Sequence, residues 1–333
     1  MRTCYRLIVC MFLLLWLGCA APPSQPPEPG TTPRLQRIDD FIVVRTVAGD
    51  TLPNLAAKFL KDPYQGWLIA EFNGIAEVVP GQQLIIPLRA YAKGGLQADG
   101  YQTVPVLTYH RFSKNKPGKL TVTAQAFESQ IRFLKENGYH FISLAQLIDF
   151  MDYQGDVPPK AVAITIDDGW RSFYEIGFPI IKKYALPATL FVYTDFIGGS
   201  KAMTWQQVQA VADSGIDIQC HTQTHRNLTV LNEKESLREY LQAVETEICA
   251  SKQEIKRRLN RECRYLAYPY GKTNSLVISL LQKHGYQAGF TVNRDANPFF
   301  GDKYRINRAV IYGTYDMARF KRNLSVFHPM VLK

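Results

Sequence analysis

Ala161-Val162-Ala163-Ile164-Thr165-Ile166-Asp167-Asp168-Gly169 decides the fold of this chain. A short, unbroken apolar run closed by a polar turn predicts a strand buried on both faces, the kind found in parallel sheets covered by helices. Working outward, Val104 to Tyr109, Ala188 to Tyr193 and Ile216 to Cys220 predict further strands. Helical patterns alternate with them over Ala124 to Asn137, Leu144 to Met151, Ser172 to Tyr184 and Trp205 to Ser214. That alternation predicts an α/β fold, barrel-like, with a parallel sheet and its working residues at the carboxyl ends of strands.

The same stretch ends in two adjacent carboxylates. Like charges so close repel, and burying them beside an apolar strand is favourable only with a cation or strong donors nearby. A metal ligand next to a general base fits the pair; so does a cap on the helix that follows, since acids favour that end. A second strand end carries His221-Thr222-Gln223-Thr224-His225, two of the six histidines in the chain. Four-residue spacing puts both imidazoles on one face of a helical turn. With one carboxylate they make a three-ligand site that leaves a position for water, as catalytic zinc requires. Cys220 points to the opposite face of its strand and stays outside that site. A third segment, Arg264-Tyr265-Leu266-Ala267-Tyr268-Pro269-Tyr270-Gly271, joins Pro and Gly in an unusual backbone that can aim an amide N–H at a developing oxyanion; an ordinary turn is the plainer reading.

Together TIDDG, HTQTH and YPYG, in this order and each at a strand end, resemble the polysaccharide deacetylases of carbohydrate esterase family 4. VPVLTYHRF, DDGWRSFYEIGFPIIKKYALPATLFV and MTWQQVQAVADSGIDIQCHTQTH resemble the branch containing poly-N-acetylglucosamine deacetylases. The resemblance implies a distorted (β/α) barrel over residues 104–333 and metal-dependent removal of N-acetyl groups from an N-acetylglucosamine polymer, either exopolysaccharide or peptidoglycan. It implies Asp168, His221 and His225 as metal ligands, Asp167 as the base and the Tyr270 N–H as oxyanion donor. Two imidazoles and a carboxylate suit Zn2+ and also accept Co2+ or Ni2+. The family's late Leu-x-His is matched poorly by His328, and a Tyr-His pair on the first strand, here Tyr109-His110, makes His110 the implied general acid. Where the family has Arg before Pro-Tyr-Gly this chain has Ala267 and Tyr268, so orienting Asp167 falls to Arg308 or Arg171. The rival reading is a non-catalytic, peptidoglycan-binding lipoprotein with a degenerate barrel.

Upstream, Phe41 to Leu88 predicts a βααβ unit with turns at Ala48-Gly49-Asp50-Thr51, Asn73-Gly74 and Pro80-Gly81. VRTVAGDTLPNLAAKF with IAEFNGI and VVPGQQLIIP resembles a LysM domain, a module that binds N-acetylglucosamine-containing chains. The resemblance places the glycan on Gly49, Asp50 and Thr51 and on Asn73, Gly74 and Ile75; the alternative for the first group is a turn and helix cap.

The chain's 333 residues exceed one typical core and suit two domains, and 46% hydrophobic and 12% aromatic content supports globular packing. Arg2 and Arg6 before the apolar run Leu7 to Leu17, ending in Gly18-Cys19-Ala20, predict a lipoprotein-type signal peptide over 1–18. A Pro-rich tether over 19–40, the glycan module over 41–88 and a linker over 89–103 then precede the barrel. Acylated Cys19 would hold an exported protein on the outer membrane or cell surface of the envelope. A net charge of +10 is scattered, without the basic stripe and interleaved aromatics of a nucleic-acid binder. Cys220, Cys249 and Cys263 form no CxxC pair, and a Cys249–Cys263 bridge is compatible with an oxidising compartment.

Overall fold

The computed structural model describes residues 35–38, 41–88, 95–97 and 100–330. The leader, Cys19 and most of the tether lie outside the described residues. Among those described, no helix is long and apolar enough to cross a membrane.

The N-terminal unit comprises β1 (Leu35–Ile38), β2 (Phe41–Arg45), α1 (Leu52–Phe59), α2 (Gly66–Asn73) and β3 (Gln83–Pro87). The strands form an antiparallel sheet in the order β1-β2-β3, with Val44 opposite both Leu35 and Leu84. The sheet therefore begins inside the stretch read as tether. Alternation on β2 and β3 buries Ile42, Val44, Leu84 and Ile86 against Leu55, Ala56 and Ile69 of the helices. Thr51 caps α1, accepting from the Asn54 N–H at 3.3 Å. Asn73 binds the Ile85 N–H and C=O at 2.8 and 2.7 Å, tying α2 to β3, and Gly74 closes α2 in the left-handed region.

The larger unit continues with β4 (Leu96–Gln97), β5 (Gly100–Tyr109), β6 (Arg111–Ser113), β7 (Thr121–Thr123), α3 (Ala124–Glu136), β8 (His140–Phe141) and α4 (Leu144–Met151). Next come β9 (Ala161–Asp168), α5 (Phe178–Lys183), β10 (Thr189–Val192), α6 (Trp205–Asp213), β11 (Asp217–Cys220) and α7 (Leu237–Leu259). The chain ends in β12 (Tyr265–Ala267), α8 (Ser275–Lys283), β13 (Ala288–Phe290), β14 (Ala296–Pro298), β15 (Ala309–Val310), α9 (Met317–Lys321) and β16 (Phe327–Pro329). Strands β4 and β5 already occupy part of the stretch read as linker.

β13-β12-β11-β10-β9-β5 run parallel, β15 pairs parallel with β5, and β14 adds antiparallel to β5. A parallel bridge from Phe290 to Ile306 draws β13 toward the chain that leads into β15. The sheet thus curls toward closure, an α/β barrel with one irregular seam. Period-two alternation splits its residues between two cores. Leu107, Ile164, Ile166, Leu190 and Val192 pack outward on the helices, while Val106, Ala163, Phe191, Tyr265 and Phe290 fill the interior. That parity decides which side chains reach the site.

Candidate metal centre and active site

Parity puts Asp167 on the inner face with Ala163 and Thr165. Asp168 follows where β9 ends, and it turns over the rim with φ 79°. Gly169 continues the turn at φ 97°, where a Cβ would lie 2.6 Å from Ile197 Cδ1. Thr222, His225 and Tyr270 also have positive φ, at 70°, 66° and 58°. Such backbone costs about 1–3 kcal/mol per residue and gathers where function dictates geometry.

HTQTH is not the helical turn its spacing suggested. It is an irregular loop after β11, and its positive-φ residues fold it back so that both imidazoles meet. Glu247 of α7, almost fully buried, holds the loop by accepting from the Gln223 and Thr224 N–H groups at 3.0 and 2.9 Å and from the Thr224 hydroxyl. The His221 and His225 ring centroids lie 4.7 Å apart, nearly perpendicular at 78°. Tyr193 and Tyr270 flank His225 at 5.1 and 4.8 Å between ring centroids.

His221 Nδ1 lies 2.7 Å from the Ala267 carbonyl, which can only accept. The proton therefore sits on Nδ1, and Nε2 presents a lone pair. Trp170 donates to Asp168 Oδ2 at 2.7 Å, leaving Oδ1 facing His221 Nε2 at 3.5 Å and His225 Nε2 at 3.7 Å. One ligand atom from each of Asp168, His221 and His225 lies within 4.8 Å of the others. This donor set, with outer hydrogen bonds on Asp168 and His221, fits one tetrahedral divalent ion with an open position.

Beside it, Asp167 is 1% exposed and Arg308 fully buried. Arg308 Nη1 and Nη2 donate to Asp167 Oδ1 and Oδ2 at 2.7 and 2.8 Å, and its Nε donates to the Thr291 carbonyl at 2.8 Å. Of the two arginines considered from sequence, only Arg308 reaches Asp167. Arg171 instead donates to the Ala202 carbonyl. His110 follows Tyr109 on the inner side, and its Nδ1 is buried with no hydrogen-bond partner among the described residues. Tyr109 does not accompany it: its ring packs on Phe112 and Phe127 in the outer core, and its hydroxyl donates to Gln130. His328 stacks on Tyr101, on the β5–β16 pairing.

The electrostatics follow from this packing. Burial would push Asp167 up, but Arg308, aided by His221 and His110, holds it below the usual carboxylate range. Asp168 is also depressed, since the nearby His221 and His110 imidazoles and the Trp170 hydrogen bond outweigh its burial. Burial lowers His221, yet Asp168 and Asp167 more than compensate and raise it. His225, half-buried and next to His221, is lowered to about 4. Burial also lowers His110.

Among the described residues Cys220, Cys249 and Cys263 are all free thiols. Cys263 lies beside Cys220 in the outer core rather than bridging to Cys249. Trp170, Glu247 and the Ala267 carbonyl were not singled out from sequence. Glu247 left one signal, an acid within the buried stripe Tyr240, Val244, Ile248, Ser251 and Ile255 of α7.

Three candidate metal ligands next to a clamped carboxylate, on the rim of an α/β barrel, are a donor set suited to water-activating hydrolysis. Residues 154–289 match the polysaccharide deacetylase family. A poly-β-1,6-N-acetyl-D-glucosamine N-deacetylase of Staphylococcus epidermidis is 30% identical over 225 residues, covering 62% of this chain and 78% of that protein. The Streptococcus pyogenes deacetylase PplD, solved with acetate, aligns with TM-score 0.60 and 26% identity over 67% of this chain and 98% of its own. A de-N-acetylase from Aggregatibacter actinomycetemcomitans shares the fold, with TM-score 0.60 and 24% identity over 67% of this chain and all of its own. The chain belongs to the polysaccharide deacetylase family and is a hydrolase of amide bonds.

Proposed function

We propose that the protein is an exported, metal-dependent enzyme that removes N-acetyl groups from an N-acetylglucosamine-containing polysaccharide, poly-N-acetylglucosamine or peptidoglycan. The observation that carries this reading is the meeting of Asp168, His221 and His225 beside the Arg308-clamped Asp167. The S. epidermidis relative's named substrate supports the polymer class.

Asp168 Oδ1, His221 Nε2 and His225 Nε2 would hold the ion, Zn2+ by donor set with Co2+ or Ni2+ accepted. A divalent ion held there would supply Lewis acidity, polarising the acetamide carbonyl and acidifying a water. Asp167, kept ionised and aimed by Arg308, accepts the proton of the attacking water. The Tyr270 N–H, turned by its left-handed φ, donates to the acetamide oxygen as charge builds there. His110 protonates the leaving nitrogen as the C–N bond breaks. Acetate and a glucosamine amine result. The intact set Asp168, His221 and His225 argues against a degenerate, non-catalytic barrel.

The βααβ unit over 41–88 is assigned as a LysM module that keeps the enzyme on its polymer, with Gly49 to Thr51 and Asn73 to Ile75 in the loops that would meet the glycan. Thr51 and Asn73 also serve the module's own fold through the cap and the tie to β3. The signal peptide over 1–18 and lipid attachment at Cys19 complete the reading and place the enzyme in the cell envelope. Zinc-loaded protein is expected to release acetate from at least one of two polymers assayed side by side, poly-N-acetylglucosamine and peptidoglycan. Release from neither would overturn the assignment.

A further inference from the structure

Away from the metal ligands, Arg294, Tyr315, Arg319 and Arg322 line a cavity of about 230 Å³. We propose that this cavity binds a carboxylate or phosphate carried by the polysaccharide, so that the enzyme prefers an anionic N-acetylglucosamine polymer to a neutral one. This rests on the polysaccharide reading given above and narrows it.

Three guanidinium groups around one cavity repel one another, and an anion is the ordinary remedy. None of the three arginines forms an ion pair among the described residues. The acids nearest in sequence are engaged with backbone: Asp316 caps α9 by accepting from the Arg319 N–H, and Asp295 accepts from the Ala296 N–H. Arg294 is held in place, donating to the Tyr315 hydroxyl and lying 5.6 Å from that ring's centroid. Arg319 and Arg322, three apart at the end of α9, share a face. Together they offer planar, preorganised donors, the geometry suited to bidentate recognition of carboxylate or phosphate.

The cavity also sits where a polymer would pass. Its walls rise from the segments after β13 and β15, on the rim that carries the metal ligands. Thr291, just past β13, accepts from Arg308, which grips Asp167. Val292 packs so closely on Gly271 that a Cβ there would come within 2.5 Å of the Val292 nitrogen, placing this segment against the Tyr270 loop. On the other wall, the Ile311 N–H donates to the Thr108 carbonyl, two residues before His110.

The test measures calorimetric binding of three defined tetramers at low ionic strength: neutral chitotetraose, its 6-O-phosphorylated form, and alternating N-acetylglucosamine and N-acetylmuramic acid. At least one anionic tetramer is expected to bind about tenfold tighter than the neutral one, a difference of ~1.4 kcal/mol. The advantage should shrink at high salt, where screening shortens to about 3 Å. Which anionic tetramer gains identifies phosphate or carboxylate as the group recognised. Arg294→Gln/Arg319→Gln/Arg322→Gln should abolish the gain, and the single exposed change Arg322→Gln should reduce it if the triple variant does not fold. Equal binding of all three tetramers by the wild type, or an advantage that survives the substitutions, overturns the proposal. Acetate release in the same solutions reports separately on the deacetylase reading.

Discussion

Arg308→Met is expected to lower stability by about 3–5 kcal/mol at neutral pH, because it strands a buried carboxylate. Asp167 and Arg308 are both buried and share two short hydrogen bonds. The pH dependence has a definite sign. In the wild type the folded Asp167 pKa is depressed, so its contribution is present above the unfolded value of about 3.9 and lost as pH falls through the folded pKa. In the variant, burial is opposed only by His221 and His110, and the folded pKa rises. The gap between the two proteins should therefore widen from acid toward neutral pH. Chemical denaturation at several pH values measures this, and a gap that does not vary with pH would show that Asp167 does not depend on Arg308. Arg308→Lys keeps the charge but loses the fork, and should recover only part of the stability.

Asp167→Asn should cut kcat by roughly 10²–10⁴-fold, the usual contribution of a positioned general base, with a much smaller change in KM. Asn keeps the size of Asp and one acceptor for Arg308 but cannot take a proton from water. Metal content should be unchanged, since the ligand set does not include this residue. A variant within a few-fold of wild-type kcat would remove Asp167 from the chemistry.

Much of this was legible in the sequence. The apolar run into Asp167-Asp168 marked a buried parallel strand, and the alternation around it foretold the barrel. Cys220 was rightly assigned to the opposite face from His221, because strand parity needs no structure to apply. The histidine pair was identified as a unit, but for a reason that does not hold. Its residues meet through a left-handed loop held by Glu247, a long-range contact that local spacing cannot encode. Tyr109-His110 shows the same limit: adjacency in sequence suggests a pair, yet parity sends the tyrosine into the outer core. Arg308 emerged as one of two options because the family's usual arginine is absent. Choosing it over Arg171 requires knowing that β15 lies beside β5, where Ala309 pairs with Leu107 and Val310 with Thr108 across most of the chain. The start of the small sheet at Leu35 was hidden by a polar, Pro-rich context that reads as tether.

The central claim is that Asp168, His221 and His225 hold one catalytic divalent ion. Crystals of zinc-loaded protein, measured at the zinc absorption edge, test it directly. One anomalous peak is expected, about 2.0–2.2 Å from His221 Nε2, His225 Nε2 and an Asp168 oxygen, and absent from His221→Ala/His225→Ala. Active protein with no peak at these three side chains, or a double variant that keeps one equivalent of zinc and its acetate release, would contradict the account.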